Sequence, residues 1–438
     1  MPLGSRRRAI WAWAMYDWAN SAYVTTTAAA LLPAYFVQVV VPPEGVRALG
    51  LIWSGEALWG LATGAASLVA FLLAPFLGAV ADLSGRKKAF LMGFAYAGSL
   101  FASLLFFAQA GRVGLTLGLY ALAQICFISA NVFYDAFLPH LTRHHHDRVS
   151  ARGYAMGYLG GGLQFACALV LVSQPTWFGL QTEEAVRLAL LMAGLWWAVF
   201  SLWPLLELPE SNALGTAPEP SWGAYVKAGW RQVRDTLRRL PRAPSLLLFL
   251  VAFMFYDDAI QSTIAMASAY GAGELKLEPS AIMGTFLVVQ FVAYGGSRLF
   301  GLLGERWNTK PALLLSLAVW VLIILGAYLL PSGYAPGFLG LGLMVGLVLG
   351  GSQALSRSLY SQIIPPQASA QFFGFYTVFS RFSAIWGPLW FALVRTATGS
   401  SRAAILSLLV FLVIGMVFLA ILSPSQARAE ARQWTNAP

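Results

Sequence analysis

The sequence predicts an all-α polytopic membrane protein, in which twelve transmembrane helices form two pseudo-symmetric six-helix bundles. Three observations lead to this prediction: the composition, twelve long apolar stretches, and matches between the two halves of the chain. Of the 438 residues, 58% are hydrophobic and 11% are charged, and the mean hydropathy is +0.67. Because a soluble domain has about 25% charged residues, this composition excludes a soluble globular protein.

Twelve stretches of about 20 mostly apolar residues are long enough to cross a bilayer as helices. We number them spans 1 to 12. They lie near residues 10–40, 56–80, 89–110, 113–138, 152–173, 186–206, 246–271, 280–303, 311–331, 335–361, 370–395 and 402–423. Since the number of spans is even, both termini are expected on the same side of the membrane.

Lys and Arg residues are concentrated on one side of this predicted topology. They occur at the N-terminus, in Arg6, Arg7 and Arg8, and in the loops that follow even-numbered spans, as at 86–88 and 227–242. The positive-inside rule assigns this side to the cytoplasm. We therefore expect a multi-pass protein of the cell membrane with both termini cytoplasmic. The net charge of +10 then reflects contact with anionic membrane lipids, and no nucleic acid partner is expected.

The chain is expected to divide at a break in composition between spans 6 and 7. Residues 207–220 are rich in Pro, Gly, Ser and Asn, and residues 222–240 combine regularly spaced apolar residues with Lys and Arg. This pattern predicts a basic amphipathic helix on the inner leaflet, with binding to a partner protein as the alternative. The predicted domains are an N-terminal six-helix bundle (1–206), a cytoplasmic linker (207–245), a C-terminal six-helix bundle (246–423) and a cytoplasmic tail (424–438).

Four local matches between the two halves indicate an internal duplication. They are Tyr16-Asp17 with Tyr256-Asp257 in spans 1 and 7, Gly78 and Asp82 with Gly301 and Glu305 after spans 2 and 8, Tyr134 and Pro139 with Tyr360 and Pro365 in spans 4 and 10, and Gly157 with Gly374 in spans 5 and 11. The last match sets Gln164 opposite Arg381. Because all four occur in the same order in corresponding spans, each half is predicted to contain six helices of the same orientation, with a substrate site near the midplane between them.

Several segments of the chain resemble a known family. Residues 78–88, GAVADLSGRKK, resemble the loop motif of the major facilitator superfamily and lie between spans 2 and 3, as that motif does. Residues 16–23, YDWANSAY, resemble the signature of the "unknown major facilitator" family, whose fungal relatives are autophagy-related vacuolar amino-acid effluxers. Further similarity lies at residues 134–139, 153–158 and 371–376 and at Gly387-Pro388, so it extends over nearly the whole chain. The resemblance implies the major facilitator fold and the transport of a small molecule.

Polar residues inside the apolar spans are the candidates for substrate binding or proton coupling. They are Tyr16, Asp17, Asn20, Gln164, Asp257, Asp258, Gln261, Arg357 and Arg381. A charged residue at the centre of a transmembrane helix costs about 2.5–3.5 kcal/mol on insertion scales, so acids at matching positions of spans 1 and 7 require a function. Span 1 carries its acid within a polar stripe, and span 7 offers two i, i+4 pairs, Asp257 with Gln261 and Asp258 with Ser262. Both spans are therefore predicted to present polar groups to one central cavity.

Two arginines lie within spans of the second half, Arg357 in span 10 and Arg381 in span 11. A guanidinium in hydrocarbon needs an anion, either an aspartate of span 1 or 7 or a substrate carboxylate. If Arg381 exchanged an aspartate for a substrate carboxylate, the released aspartate would take up a proton more readily, which would couple transport to protons. The alternatives are a permanent buried ion pair that fixes helix packing and, for Arg357, a side chain that snorkels from the inner end of its span.

A second group of residues, at the cytoplasmic ends of the spans, is predicted to gate access to the substrate site. The group is Gly78, Asp82, Gly85, Arg86, Lys87, Asp135 and Arg152. The Asp82 carboxylate is expected to cap the N-terminus of span 11 near Ala370, a contact that must break on inward opening. The family resemblance implies that Asp135 pairs with Arg86 or Arg152, and a solvated helix end is the alternative.

Glycines recur every four residues in span 5, at Gly153, Gly157 and Gly161. Such spacing permits the close approach of a neighbouring helix. Tight packing is the expected role, and sliding of the helices during the transport cycle is the alternative.

Three adjacent histidines, His144, His145 and His146, lie beside Asp147 in a short loop. We expect them to be solvated, because no thiol or further carboxylate completes a metal site. Neither a metal nor a cofactor is expected.

The predicted function is secondary active transport of a small solute by alternating access, because no nucleotide-binding motif is present. The substrate is expected to be a zwitterion resembling an amino acid, moved outward with proton coupling by a monomer. An exporter of lipophilic or drug-like compounds is the alternative within this class. A non-transporting membrane sensor and a membrane-embedded lipid enzyme are alternatives from other classes. An enzyme is not expected, because no nucleophile with a base, and no cluster of metal ligands, occurs at membrane depth.

Overall fold

Twelve long helices make up most of the structure. The computed structural model describes residues 3–48, 50–210 and 221–436, without the side chains of residues 3, 48, 382–385, 435 and 436. Within these ranges, twelve helices are long and apolar enough to cross a membrane. Spans 1 to 12 have the bounds Gly4–Val40, Gly55–Ser84, Lys87–Phe107, Val113–Leu141, His146–Ser173, Thr182–Glu207, Pro244–Gly273, Pro279–Trp307, Thr309–Leu329, Ala335–Ile363, Pro366–Thr398 and Ser401–Ile421. The predicted all-α class with twelve spans is confirmed, and most helices run past the predicted limits because polar residues continue them beyond their apolar centres.

Span 1 is not one regular α-helix. An α-helix over Leu3–Ala22 continues as a π-helix over Tyr23–Leu31, an α-helix over Leu32–Tyr35 and a π-helix over Phe36–Val40. At the first change back, the Leu32 N–H bonds to the Thr27 carbonyl oxygen five residues earlier. Pro33, which has no N–H to donate, follows at once. π-Helical turns are rare and often occur at functional sites. Their presence distinguishes span 1 as a candidate part of a functional site.

A β-hairpin that the sequence analysis did not predict connects spans 1 and 2. Strand β1 (Val46–Ala48) pairs antiparallel with strand β2 (Leu51–Trp53), with Ala48 opposite Leu51. Gly50 in the intervening turn has φ 77°, a left-handed conformation that favours glycine. Span 2 then begins with Ser54 as its N-cap, whose hydroxyl accepts from the Ala57 N–H at 3.3 Å.

The described residues form two compact units that do not follow the predicted domain boundary. Unit 1 comprises Met1–Ala74, Gly85–Tyr134 and Met156–Asn212, and unit 2 comprises Pro75–Ser84, Asp135–Ala155 and Ala213–Pro438. Unit 2 thus contains the second half of the chain together with the ends of spans 2, 4 and 5 that adjoin Lys- and Arg-rich loops. We call the ends of the spans at these loops the basic end. The bundles at 1–206 and 246–423 stay a prediction.

Glycines let helices touch closely inside each unit. In unit 1, a Cβ placed on Gly98 of span 3 would overlap the Trp197 ring of span 6. In unit 2, a Cβ on Gly296 of span 8 would overlap the Leu347 carbonyl oxygen of span 10. Small residues are the usual means of close helix packing in membranes, so these contacts allow the spans of each unit to pack tightly.

Two further helices belong to unit 2. The linker helix, Trp222–Arg239, starts at the N-cap Ser221 and has the amphipathic pattern that the sequence predicts; residues 211–220 of the predicted linker lie outside the described residues. The predicted tail forms the C-terminal helix, Pro424–Asn436. Its Glu430 carboxylate accepts from the Ser245 N–H at 3.1 Å and from the Ser245 hydroxyl at 2.8 Å, and these bonds hold the tail against the start of span 7.

Candidate functional site

Asp17 lies in a hydrogen-bonded cluster of unit 1. The Tyr134 hydroxyl donates to Asp17 Oδ2 at 2.7 Å, and Asp17 is 8% exposed. The Tyr134 ring stacks on Trp13 with 4.5 Å between ring centroids, and Trp13 Nε1 donates to the Tyr134 carbonyl oxygen at 2.8 Å. The fully buried Tyr16 ring lies 5.2 Å from the same tyrosine. Trp13 and Asp17 are one helical turn apart, so they share a face of span 1, and this face contacts protein rather than lipid.

The rest of the polar stripe of span 1 contacts spans 4 and 5. Asn20 Nδ2 donates to Asn131 Oδ1 at 2.8 Å, and the Thr26 hydroxyl donates to Gln164 Oε1. The amide nitrogen of Gln164 is buried and has no hydrogen-bond partner in the described part of the chain. A buried donor without an acceptor costs about 1–3 kcal/mol. The Gln164 amide thus keeps an unused donor inside unit 1.

The glycines of span 5 pack directly against span 1. A Cβ on Gly157 would lie 2.7 Å from the Ser21 hydroxyl, and one on Gly160 would lie 2.6 Å from the Trp18 carbonyl oxygen. A Cβ on Gly161 would lie 3.0 Å from the Ser21 carbonyl oxygen. The expected tight packing is thus present, and sliding of the two spans stays a prediction.

In unit 2, Asp257 of span 7 has both carboxylate oxygens hydrogen-bonded. Oδ1 accepts from Gln261 Nε2 at 3.2 Å, as the i, i+4 spacing predicts, and Oδ2 accepts from the Ser380 hydroxyl at 3.1 Å. Ser380 belongs to span 11 and directly precedes Arg381, which is half-buried. Sequence analysis missed Ser380, although its place beside an intramembrane arginine was a signal. A carboxylate and a guanidinium thus lie on contacting helices of one unit.

Asp258 bonds to the backbone of span 11, and it lies four residues before Ser262 in the same helix, as the i, i+4 spacing predicts. Its Oδ1 accepts from the Gly387 N–H at 2.9 Å. Pro388 follows Gly387, and a proline ring disrupts the helical hydrogen bonds of the preceding turn. Because Gly387 has no side chain, the Asp258 carboxylate can reach its backbone. A Cβ on Gly387 would overlap the Ser262 hydroxyl. Among the described residues, Asp258 Oδ2 and Ser262 Oγ have no hydrogen-bond partner.

Arg357 pairs with Asp135, which was not among the three aspartates that the sequence suggested for it. Its Nη1 donates to Asp135 Oδ1 at 2.9 Å, and its Nε and Nη2 donate to the Ser150 hydroxyl and carbonyl oxygens at 3.0 and 2.8 Å. The guanidinium lies over the Tyr154 ring at 4.1 Å. With 2% of its side chain exposed, Arg357 does not snorkel. For Asp135, the structure provides a partner that the sequence did not suggest, and the alternative of a solvated helix end is wrong.

Asp82 makes the contact expected at the N-terminus of span 11. Its Oδ1 accepts from the Ala370 N–H at 3.2 Å and its Oδ2 from the Gln371 N–H at 2.9 Å, and the residue is fully buried. A helix N-terminus offers unpaired N–H groups and the positive end of the helix dipole. One turn earlier, a Cβ on Gly78 would overlap the Ala370 carbonyl oxygen, so this close approach of span 2 requires glycine. The gating role of the contact stays a prediction.

The family described as "Vacuole effluxer Atg22 like" matches residues 5–432. The chain belongs to this family. Over 427 residues it is 31% identical to the "Uncharacterized MFS-type transporter YxiO" of Bacillus subtilis (strain 168), which covers 97% of this chain and 96% of YxiO. Autophagy-related protein 22-1 of Aspergillus fumigatus is 30% identical over 304 residues, which are 62% of this chain and 48% of the fungal protein. The chain thus matches about half the length of that relative.

The solved structure of the human organic anion transporter MFSD10 (TETRAN) is similar to the Atg22-like chain, with a TM-score of 0.68 and 17% identity. The similarity covers 96% of this chain and 100% of the MFSD10 chain. At this identity the likeness concerns the fold, and it confirms the expected major facilitator fold. Because the family and its structural neighbours are membrane transporters, the predicted transporter class is confirmed and the enzyme alternative is excluded.

The other predicted gating residues of the Atg22-like chain lie at the basic end. Gly85 follows span 2 with φ 68°, the left-handed conformation in which many helices end. Arg86 is exposed, Lys87 is buried at the start of span 3, and Arg152 is half-buried in span 5.

Sequence analysis named Asp147 only as a neighbour of the three histidines, whereas in the structure it anchors the start of span 5 of the Atg22-like chain. Its Oδ1 accepts from the Ser358 hydroxyl at 2.5 Å and its Oδ2 from the Thr309 hydroxyl at 2.9 Å. The preceding His146 shares a hydrogen bond of 2.7 Å with the Ser361 hydroxyl, so the expectation of a solvated loop is wrong for this histidine. An acid beside three histidines was the available signal. Among the described residues, no group of three His, Cys, Asp or Glu side chains is placed to hold a metal ion.

Proposed function

We propose that this Atg22-like transporter moves a small zwitterion, such as an amino acid, outward across the membrane by alternating access, as a monomer and with protons as the coupling ion. The observation that carries the proposal is the placement of opposite charges on spans 7 and 11 of unit 2. Asp257 accepts a hydrogen bond from Ser380, and Arg381 is the next residue.

The charges of a zwitterion match these two side chains. A substrate carboxylate is well suited to the planar guanidinium of Arg381, which can hold both oxygens at once. A substrate ammonium is suited to Asp257. A neutral lipophilic solute offers neither a carboxylate to Arg381 nor an ammonium group to Asp257. The charge pattern therefore favours an amphoteric solute.

We assign the coupling proton to Asp258. Both oxygens of Asp257 have donors, whereas Oδ2 of Asp258 has none among the described residues. Adding a proton to this oxygen turns it into a donor, and the Ser262 hydroxyl, one helical turn away, is an acceptor without a partner in the same part of the structure. Protonation thus satisfies two buried groups together.

We assign the basic end to the cytoplasm and the protein to the cell membrane, on the strength of the positive-inside rule. The bonds of Asp82 to the start of span 11, and of Arg357 to Asp135, then lie on the cytoplasmic side. Alternating access requires that a substrate site near the midplane opens to each side in turn. These contacts must therefore break when the transporter opens inward, and they re-form when it closes.

An apolar cavity inside unit 2 is the observation that bears on the second candidate, export of a lipophilic compound. The cavity has a volume of about 100 Å³ and is lined mainly by apolar side chains, including Ile264, Phe286, Phe338 and Leu349. Pockets for drug-sized ligands measure about 300–1,000 Å³. This cavity is too small for such a compound, so we rank the zwitterion first.

Counterflow in proteoliposomes, with a panel of amino acids and with or without a pH gradient, tests the proposal. The wild type is expected to exchange a labelled amino acid for an unlabelled one, and Asp17→Asn and Arg381→Ala are expected to abolish exchange while thermal stability stays nearly unchanged. Glu278→Gln, which neutralises an exposed acid at the start of span 8, is the matched control and should exchange normally. Exchange of lipophilic compounds alone would support the second candidate. Binding without exchange would identify a sensor, and unfolding of the two variants would indicate a packing role for both charges.

A further inference from the structure

The linker helix is attached to unit 2 at the contact between spans 2 and 11. Val233 packs with Ala79 of span 2 and Phe375 of span 11. A Cβ on Gly229 would lie 2.7 Å from the Val80 side chain. Close by, the Trp230 ring stacks on Phe76 of span 2 with 4.9 Å between centroids. The helix therefore bridges the end of span 2 and the first turns of span 11.

Gln371 joins the linker helix to the Asp82 contact. Its backbone N–H donates to Asp82 Oδ2 at 2.9 Å. Its side-chain oxygen accepts from Gln232 Nε2 at 2.9 Å, and its side-chain nitrogen donates to the Thr236 hydroxyl at 3.0 Å. One residue thus bonds both to the predicted gate and to the helix that covers it, so a force that holds the linker helix in place also holds the start of span 11 near Asp82.

The linker helix has two further faces that are exposed in the described part of the chain. The first is an apolar stripe beside the packed face, consisting of Trp222, Val226, Trp230 and Leu237, which are between 43% and 58% exposed. The second is a basic stripe of Lys227, Arg231, Arg234 and Arg238, all exposed. At 3.6 residues per turn, the packed face, the apolar stripe and the basic stripe follow one another around the helix.

The order of these faces fits the surface of a membrane that contains anionic lipids. An exposed apolar stripe next to Lys and Arg is typical of helices that lie in the headgroup region. The linker helix packs against the ends of spans that cross the membrane. Lipid headgroups are therefore the surface nearest to its two exposed faces. Trp230 stacks on Phe76 and is 58% exposed, so the same side chain can touch lipid while the helix stays attached. Lipid binding and attachment to the protein are therefore compatible.

We propose that anionic phospholipid headgroups bind the basic stripe of the linker helix and stabilise the contact between Asp82 and the start of span 11. Lipid composition would then set how readily the basic end opens. The proposal is independent of the substrate, because it concerns the linker helix and spans 2 and 11 alone.

Hydrogen exchange in nanodiscs tests the proposal. The protein is compared in phosphatidylcholine alone and in an equimolar mixture with phosphatidylglycerol. We expect the mixture to slow amide exchange in residues 222–239 and 369–376 by about tenfold or more, because each basic residue near an anionic surface adds to the attraction, and high salt should remove the effect. The triple variant Lys227→Gln/Arg231→Gln/Arg238→Gln should exchange equally fast in both lipids.

The matched control is Arg47→Gln/Arg112→Gln/Arg395→Gln, which removes three exposed charges away from the linker helix and should keep the lipid effect. The charge-preserving variant Lys227→Arg/Arg231→Lys/Arg238→Lys should also keep the lipid effect. Three outcomes would overturn the proposal: no lipid effect in the wild type, an undiminished effect in the triple Gln variant, or faster exchange of residues 369–376 in the anionic mixture, since the last would mean that lipid pulls the helix away.

Discussion

The two neighbouring aspartates of span 7 have different surroundings. Asp257 receives hydrogen bonds from Gln261 and Ser380. Asp258 receives one from the Gly387 backbone and keeps one oxygen without a donor among the described residues. A carboxylate with two donors is satisfied as an anion, and one with a missing donor is not. This difference is the reason why we propose Asp257 as the charged substrate ligand and Asp258 as the proton carrier.

Asp258→Asn is expected to fold and to exchange substrate, but to lose its response to a pH gradient. The Asn oxygen can accept from the Gly387 N–H as the carboxylate does, its NH₂ group can donate to Ser262, and no proton can be taken up. The measurement is counterflow beside gradient-driven transport, with Asp257→Asn as a contrast that should lose both. If Asp258→Asn still concentrates substrate in response to the gradient, the proton lies elsewhere.

Arg357→Ala is expected to destabilise the protein by about 3–5 kcal/mol, because it breaks the ion pair between the buried Arg357 and the partly buried Asp135 and removes two bonds to Ser150. Unfolding followed in detergent measures the effect. Arg298→Ala is the control. Arg298 is exposed and bonds to Tyr294 of its own helix, so its loss should cost less than about 1 kcal/mol. Equal stability of the two variants would contradict the assigned burial of Arg357.

At the scale of the element, the contact between spans 2 and 11 depends on glycine at position 78, which has no side chain to hold the two helices apart. Gly78→Ala places a methyl group where the Ala370 carbonyl oxygen lies, and overpacking of this kind costs about 1–3 kcal/mol. We expect span 11 to move away, Asp82 to lose its two N–H donors, and hydrogen exchange at residues 369–376 to become faster.

Gly64→Ala is the matched control for Gly78→Ala. It lies in the same span, and a Cβ there meets nothing within 4 Å, so exchange at residues 369–376 should stay at the wild-type rate. Unchanged hydrogen exchange in Gly78→Ala as well would mean that spans 2 and 11 accept a methyl group at this position without moving apart.

Helical periodicity was enough to predict contacts within one element, but not contacts between elements. Asp257 and Gln261 lie four residues apart, so the sequence alone places them on one face. Asp135 and Arg357 are separated by 222 positions, and no repeat relates them. The bond of Asp258 to Gly387 likewise depends on how span 11 packs at Pro388. The contact of Asp82 was predictable only because a loop motif and a helix N-terminus both pointed to it.

At the scale of the whole molecule, the distribution of Lys and Arg predicts the orientation. The chain carries 28 basic and 18 acidic residues, and the excess is concentrated at the basic end. Because positively charged loops stay in the cytoplasm during insertion, a cysteine at Arg306, beside the basic end of span 8, should resist an impermeant maleimide in intact cells. A cysteine at Arg112, between spans 3 and 4, should react.

Both labelling variants require a background without Cys126 and Cys167, the free cysteines of the described residues. Both positions are exposed, so a difference in labelling reports the side of the membrane rather than burial. Labelling of Arg306→Cys but not of Arg112→Cys in intact cells would reverse the assignment and place the Asp82 contact outside the cell.

The two hydrogen bonds between Glu430 of the C-terminal helix and Ser245 affect where a purification tag can be placed. An affinity tag fused directly after span 12, in place of residues 424–438, would deprive the first turn of span 7 of both Glu430 acceptors. That span carries Asp257 and Asp258, so such a shortened protein could lose activity through a loosened helix while its chemistry is intact. A tag appended beyond Pro438 avoids this artefact.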